Sequence, residues 1–258
     1  MDSFQIAISD WAAFSPQRMQ RDQWLSWAEG SASSEQAGYK PELPWVNAML
    51  RRRLSPMGRA ALWAAGQLLD EQRPEPVATV FASRHGEVGR TVKLMRELAA
   101  QAPLSPASFS LSVHNAIGGI HSIANKVLSP ITAISAGPDT LCAALLEAYA
   151  QLASPAHPGG EVLCVFYDDP LPEPLDEFNR ETAEVQALAL RLALTDTPGA
   201  VPLSFSLGEA PGGGAEVRDE SAQVDRFLRF LLNGNERVLN LKGDRRLWQW
   251  CKRARACP

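Results

Sequence analysis

The chain has 258 residues, 45% of them hydrophobic and 21% charged, with a formal net charge of −4. That length buries a sizeable core without disulfide or metal staples, and the acidic balance excludes a global nucleic-acid-binding field. No apolar run approaches the roughly 20 residues of a membrane span; the opening MDSFQIAISDWAAFSP lacks the basic and apolar regions of a signal peptide, so a cytoplasmic chain is expected.

In chain order, Phe4 to Ser9 alternate as a short strand, and a Trp-rich irregular stretch follows through Trp45. The spacing predicts a helix over Leu54–Leu69, with Ser55 as its cap and Pro56 in its first turn. Pro76–Ala82 is an apolar run bounded by turn signals, hence a buried strand. Helical periodicity returns over Gly89–Ala100, and Pro103 and Pro106 punctuate the next stretch before a helix from about Asn115 to Val127. Ile131–Ser135 reads as a second buried strand, followed by a turn at Gly137-Pro138 and a helix over Asp139–Gln151. EVLCVFY is a third buried strand, which DDPLPEP ends, and Gln186–Leu194 is a further strand. Strands alternating with helices argue an α/β layer fold.

Beyond Thr195 the character changes. EAPGGGAE reads as flexible, Gln223–Leu232 as an amphipathic helix, and the tail mixes Trp248 and Trp250 with basic residues. The expected organisation is a domain over residues 1–195 and an appendage over residues 196–258. That tail is expected to be anchored by its tryptophans rather than by a membrane.

The sharpest polar cluster is Arg84-His85-Gly86-Glu87, which follows a strand and so stands at the carboxyl edge of the sheet, where open α/β sheets place sites. Two readings stay open: His85 and Glu87 do acid/base work, or the charged residues brace a loop turned by Gly86. Arg51-Arg52-Arg53 is either a solvated basic segment or a docking point for an acidic protein. The cysteines (Cys142, Cys164, Cys251, Cys257) form no CxxC or Cys/His cluster, as in a reduced chain. Cys142 falls on a helix face that looks buried, where a thiol is inert.

The succession FASRHGEVGRT, PLSPASFSLSVHNAIGGIHSIANKV, ITAISAGPDTLCAALLEAYAQL and VLCVFYDDPLP resembles the N-terminal half of β-ketoacyl synthases. With the early Trp11–Ala13 segment and Arg51–Ser55, it is similar to the short chain-length-factor-like subunits of aryl-polyene and related type II polyketide systems. The resemblance implies half of a thiolase-like (ketosynthase N-terminal) fold, a mixed sheet layered with helices. In active ketosynthases a cysteine follows a strand and opens a helix, because helix amides and the macrodipole stabilise a thiolate and the later oxyanion. By that resemblance the strand Ile131–Ser135 runs into Ala136-Gly137-Pro138, which puts Gly137 at that position, with Asp139 placed to oppose a thiolate.

The resemblance therefore carries over no catalytic residue, cofactor or metal. It implies a heterodimer with a catalytic ketosynthase, and an acyl-carrier protein as a further partner. It also marks Phe109, Leu111, Val113, His114 and Asn115 as facing the partner or its acyl tunnel, against the reading of ordinary core. Half of such a fold should leave one side of its sheet uncovered. A stand-alone acyl- or carrier-binding module, and an acyl-thioester enzyme using His85 and Glu87, remain as alternatives.

Overall fold

The computed structural model describes residues 3–31, 38–69, 75–155, 159–178, 184–194, 198–209, 223–244 and 246–253; the Gly-rich run 210–216, His157 and Cys257 lie outside them. In chain order the elements are β1 (Phe4–Phe14), α1 (Arg21–Ala28), α2 (Ala48–Arg53), α3 (Pro56–Gly66), β2 (Ala78–Ala82), α4 (Val88–Ala99), α5 (Pro106–Ser110) and α6 (Ala116–Asn125). There follow β3 (Ile131–Ile134), α7 (Thr140–Leu152), β4 (Val162–Asp168), β5 (Gln186–Ala193), β6 (Val201–Glu209), α8 (Gln223–Leu232), β7 (Val238–Lys242) and β8 (Arg246–Lys252).

Local chemistry sets several of these boundaries. The Ser55 hydroxyl accepts from the Gly58 amide at 3.0 Å and Pro56 supplies a fixed φ at the first turn of α3. The Trp-rich stretch expected to be irregular holds α1, entered at Gln20, where Gln23 reaches back to the Gln20 amide at 2.9 Å.

The eight strands form one sheet in the order β3-β2-β4-β5-β1-β6-β8-β7. β2 runs parallel to β3 and β4, with Phe81 opposite Ala133 and Val165; every other pairing is antiparallel. Alternation along the strands divides the core into two clusters. On one face Val80, Cys164, Leu190 and Phe205 pack with Leu141 and Leu145 of α7 and with Phe227 and Phe230 of α8. On the other, Phe81, Val165 and Ala189 pack with Ala61 and Leu62 of α3 and Ile117 and Ile120 of α6.

Three expectations are corrected. The sheet does not leave one side uncovered, because α7 and α8 cover one face and α3 and α6 the other. β3 is not a buried strand: all four of its residues are half-buried, as befits the sheet's edge. The sheet also runs on past residue 195, where β6, β8 and β7 extend it and bury Trp248 and Trp250. Among the described residues no helix is long and apolar enough to cross a membrane.

Candidate functional site

The parallel strands β2, β3 and β4 end on one edge of the sheet, and this edge gathers the residues singled out in the sequence. At the end of β3 the chain turns through Gly137, whose φ of +55° lies in the left-handed region that glycine enters at little cost. The Thr140 hydroxyl accepts from the Ala136 amide at 3.0 Å and donates to the Gly137 carbonyl at 2.7 Å, fixing the turn into α7. A side chain at Gly137 would meet open space, so the position is vacant of chemistry but not blocked.

Asp139 does not cap α7. Its Oδ1 accepts from the Trp248 indole N–H at 2.6 Å and its Oδ2 from the Asp244 amide at 3.1 Å, tying the β7–β8 hairpin to the start of α7. The approach is so close that a Cβ at Gly243 would lie 1.6 Å from Oδ1. Cys142, one turn into α7, is fully buried, and burial pushes its thiol up, with the Asp139 charge acting in the same direction. Cys164 in β4 is pushed up by burial to about 12. Neither thiol is a nucleophile at neutral pH.

The cluster after β2 is a set of braces. Glu87 is buried and accepts from the Ser55 hydroxyl at 2.6 Å and from Arg90 Nε at 3.3 Å, joining the cap of α3 to the start of α4. His85 is exposed, its pKa lowered by partial burial and by Arg84. Gly86, at φ +57°, lies against the His114 ring: a Cβ there would come within 2.6 Å of Nδ1. His114 in turn places Nε2 3.0 Å from the Ile134 carbonyl. Arg84 is held by its backbone, its carbonyl accepting from the Ser135 hydroxyl at 2.8 Å.

Sequence reasoning missed Asp168, read only as the end of a strand. It is 2% exposed, and its Oδ1 accepts from the Ser83 hydroxyl at 2.9 Å and the Arg84 amide at 3.0 Å, while Oδ2 has no hydrogen-bond partner among the described residues. Burial pushes its pKa up to about 7 against these stabilising bonds. Across Phe81, His121 is fully buried with Nε2 likewise unpartnered, and burial pushes it down to about 4.

The two groups have opposite pH signatures. Folded Asp168 keeps a proton that the unfolded chain loses near pH 4, so stability falls as pH rises from about 4 to 7. Folded His121 refuses a proton that the unfolded chain takes near 6.5, so stability falls as pH drops from about 6.5 to 4. The Asp168 shift is worth about 4 kcal/mol and the His121 shift about 3 kcal/mol, and across the shared window they largely offset one another. Asp168→Asn keeps an Oδ1 acceptor for both the Ser83 hydroxyl and the Arg84 amide and removes the titrating proton. Its Tm relative to wild type should climb between about pH 4 and 7 and then level off. A difference independent of pH would refute the assignment.

Large apolar side chains of α4, α5, α6 and the adjoining loops are exposed: Met95, Leu98, Phe109, Val113, Ile123 and Leu128, with Phe109 and Ile123 at 66% and Leu128 at 93%. Of the residues expected to face a partner, Phe109, Val113 and Asn115 are exposed, while Leu111 and His114 are half-buried, Leu111 against the α3 side of the core. A groove of about 390 Å³ opens between α6 and the start of β3, lined by Asn115, Gly119, Ser122, Leu128 and Ile131 among others. Among the described residues no three His, Cys, Asp or Glu side chains are grouped to hold a metal ion.

The model of a family described as β-ketoacyl synthase, N-terminal domain, matches residues 24–251. Among solved structures, a chain of the ketosynthase ApeO in complex with its chain length factor ApeC, from Xenorhabdus doucetiae, is 28% identical with a TM-score of 0.80. The alignment covers 96% of this chain and 99% of that one. A β-ketoacyl synthase from Burkholderia phymatum STM815 is 13% identical with a TM-score of 0.60, over 81% of this chain and 65% of the other. The AntDE:AntF complex, a type II polyketide synthase acyl-carrier protein with its ketosynthase, is 15% identical with a TM-score of 0.58, over 81% and 70%. These last two share the fold. No curated protein matches the sequence.

Proposed function

Because the chain belongs to the β-ketoacyl synthase N-terminal-domain family, we propose that it is a non-catalytic, chain-length-factor-like partner of an active ketosynthase in aryl-polyene-type polyketide biosynthesis. The turn at Gly137 carries this reading: where the resemblance calls for a reactive cysteine there is no side chain, and Cys142 is sealed in the core. The match to a chain of the ketosynthase–chain length factor complex supports it too, at 28% identity over 99% of that chain. The partner would sit against the β3 edge, beside the exposed apolar side chains of α4, α5 and α6. The reading as an acyl-thioester enzyme fares worse, because the Glu87 carboxylate is occupied by Ser55 and Arg90 while His85 faces solvent.

Co-expression with the ketosynthase and its carrier, followed by product analysis, tests the proposal. Phe109→Ala removes an exposed side chain and should change stability by no more than about 0.5 kcal/mol. The complex should form, and its products should lengthen, because a volume projecting toward the partner's tunnel is gone. Leu111→Ala, on a half-buried residue packed against the core, should cost roughly 1–2 kcal/mol and reduce yield instead. An unchanged product-length distribution from well-formed complexes of both variants would end the tunnel-shaping role.

A further inference from the structure

The segment over residues 105–115, ahead of α6, carries the exposed side chains of Phe109 and Val113. Its own hydrogen bonds are nearly all short-range. The Phe109 amide donates to the Ser105 carbonyl at 3.0 Å and the Leu111 amide to the Ser108 carbonyl at 3.2 Å. The Ser112 amide and hydroxyl both donate to the Phe109 carbonyl, at 3.1 and 2.8 Å. Bonds of this kind fix the shape of a turn and leave it free to open or swing as a unit. Among the described residues, the hydrogen bonds that tie the segment to the sheet all belong to His114.

The Ile134 carbonyl, at the end of β3, accepts twice: from the Ser83 amide after β2 at 3.1 Å and from His114 Nε2 at 3.0 Å. A carbonyl has no hydrogen to give, so Nε2 carries one. Nδ1 lies against Gly86, with no room for a side chain between them. The His114 carbonyl accepts a long bond, 3.5 Å, from the Tyr167 hydroxyl of β4, and Ser83 is held in turn by Asp168 at the end of the same strand. The carboxyl ends of all three parallel strands therefore close on one residue. The next residue, Asn115, lines the groove beside α6, while Leu111 adds a half-buried contact on the α3 side of the core.

We infer that His114 is a positioning residue for product length: it sets how far Phe109 and Val113 reach toward the partner's tunnel without entering the tunnel itself. The inference deepens the partner reading above and rests on it. Side-chain reach separates it from a general packing role. A glutamine amide can place its nitrogen where Nε2 stands, whereas an asparagine amide ends one bond short of it, near Nδ1. In complex with the ketosynthase, His114→Asn should give longer and more widely spread products than wild type, and His114→Gln should rescue the wild-type distribution. Gly86→Ala should act as His114→Asn does, because its Cβ would press on the ring at 2.6 Å and push it off Ile134. In a His114→Ala background, where the ring is gone, Gly86→Ala should add little to the change in products.

Hydrogen exchange on the chain alone reads the anchor without any partner. The Leu111 and Ser112 amides should exchange about five- to tenfold faster in His114→Asn than in wild type or His114→Gln, as expected for one lost hydrogen bond. Equal exchange in all three would overturn the inference, as would an unchanged product distribution from a well-formed His114→Asn complex. A lower yield of complex with products of wild-type length would make His114 a packing residue and overturn it too. Should the wild-type chain not associate with the ketosynthase, the partner reading falls instead, and the exchange rates still decide whether His114 holds the segment.

Discussion

A chain carrying Ile123→Asp and Leu128→Asp should fold as the wild type does and fail to hold a ketosynthase. The first half of the expectation follows from exposure: at 66% and 93%, little of either side chain is packed against the folded chain, and surface substitutions of this kind cost within about 0.5 kcal/mol. The second half follows from what a partner would bury. Leu128 lines the groove beside α6 and the start of β3, and Ile123 stands on α6 itself, so carboxylates there would be stripped of water against an apolar surface. Losing two central apolar contacts and burying two unpaired charges should cost about 4 kcal/mol or more, roughly a thousandfold in affinity. Co-purification with the ketosynthase, beside a thermal melt of the chain alone, measures both. A double variant that melts normally and still co-purifies at wild-type yield would move the interface off this edge.

Trp250→Ala should produce the largest loss of stability of any single change in the C-terminal segment, roughly 3–5 kcal/mol. Trp250 is fully buried in β8, stacked on Phe205 of β6 at 4.5 Å between ring centroids and edge-on to Phe227 of α8 at 5.1 Å. Its removal would empty the centre of the cluster that lets α8 cover the extended sheet. Folded chains hold a margin of about 5–15 kcal/mol, so the variant should melt far below wild type and still in one transition. Two transitions, or a loss under about 1 kcal/mol, would mean that residues beyond 195 are an appendage after all.

That boundary shows where sequence reading runs out. Helices α3, α4, α7 and α8 and strands β2 to β5 were legible because caps, turn residues and periodicity are local signals. Pairing is not local. β5 meets β1 across more than 170 residues, with Ala187 opposite Phe14, and nothing in either segment names its neighbour. The tail did carry a signal: RLWQWCK alternates with period 2, and in the structure Trp248 and Trp250 face inward while Gln249 faces out. Its basic residues drew attention instead, and the pattern was taken for an anchored tail. Gly137 and Cys142 could be placed because a strand-to-helix turn is a short-range feature. Asp168 could not, since an acidic pair leading into a proline usually marks a turn, and only the fold brings Ser83 and the Arg84 amide to its carboxylate.

The two edges of the sheet are not alike. At β7 the carbonyls of Asn240 and Lys242 already accept from Arg226 and Gln223 of α8, at 2.9 Å each, and the outward side chains include Asn240 and Lys242. Such a margin resists addition of a further strand. At β3 no strand lies beyond among the described residues, and exposed apolar side chains such as Leu128 stand nearby. A sheet that can grow from one side only has a built-in stop: an association that uses the β3 side closes after a single copy or partner. It cannot propagate end to end into a fibre, as a sheet with two receptive margins can.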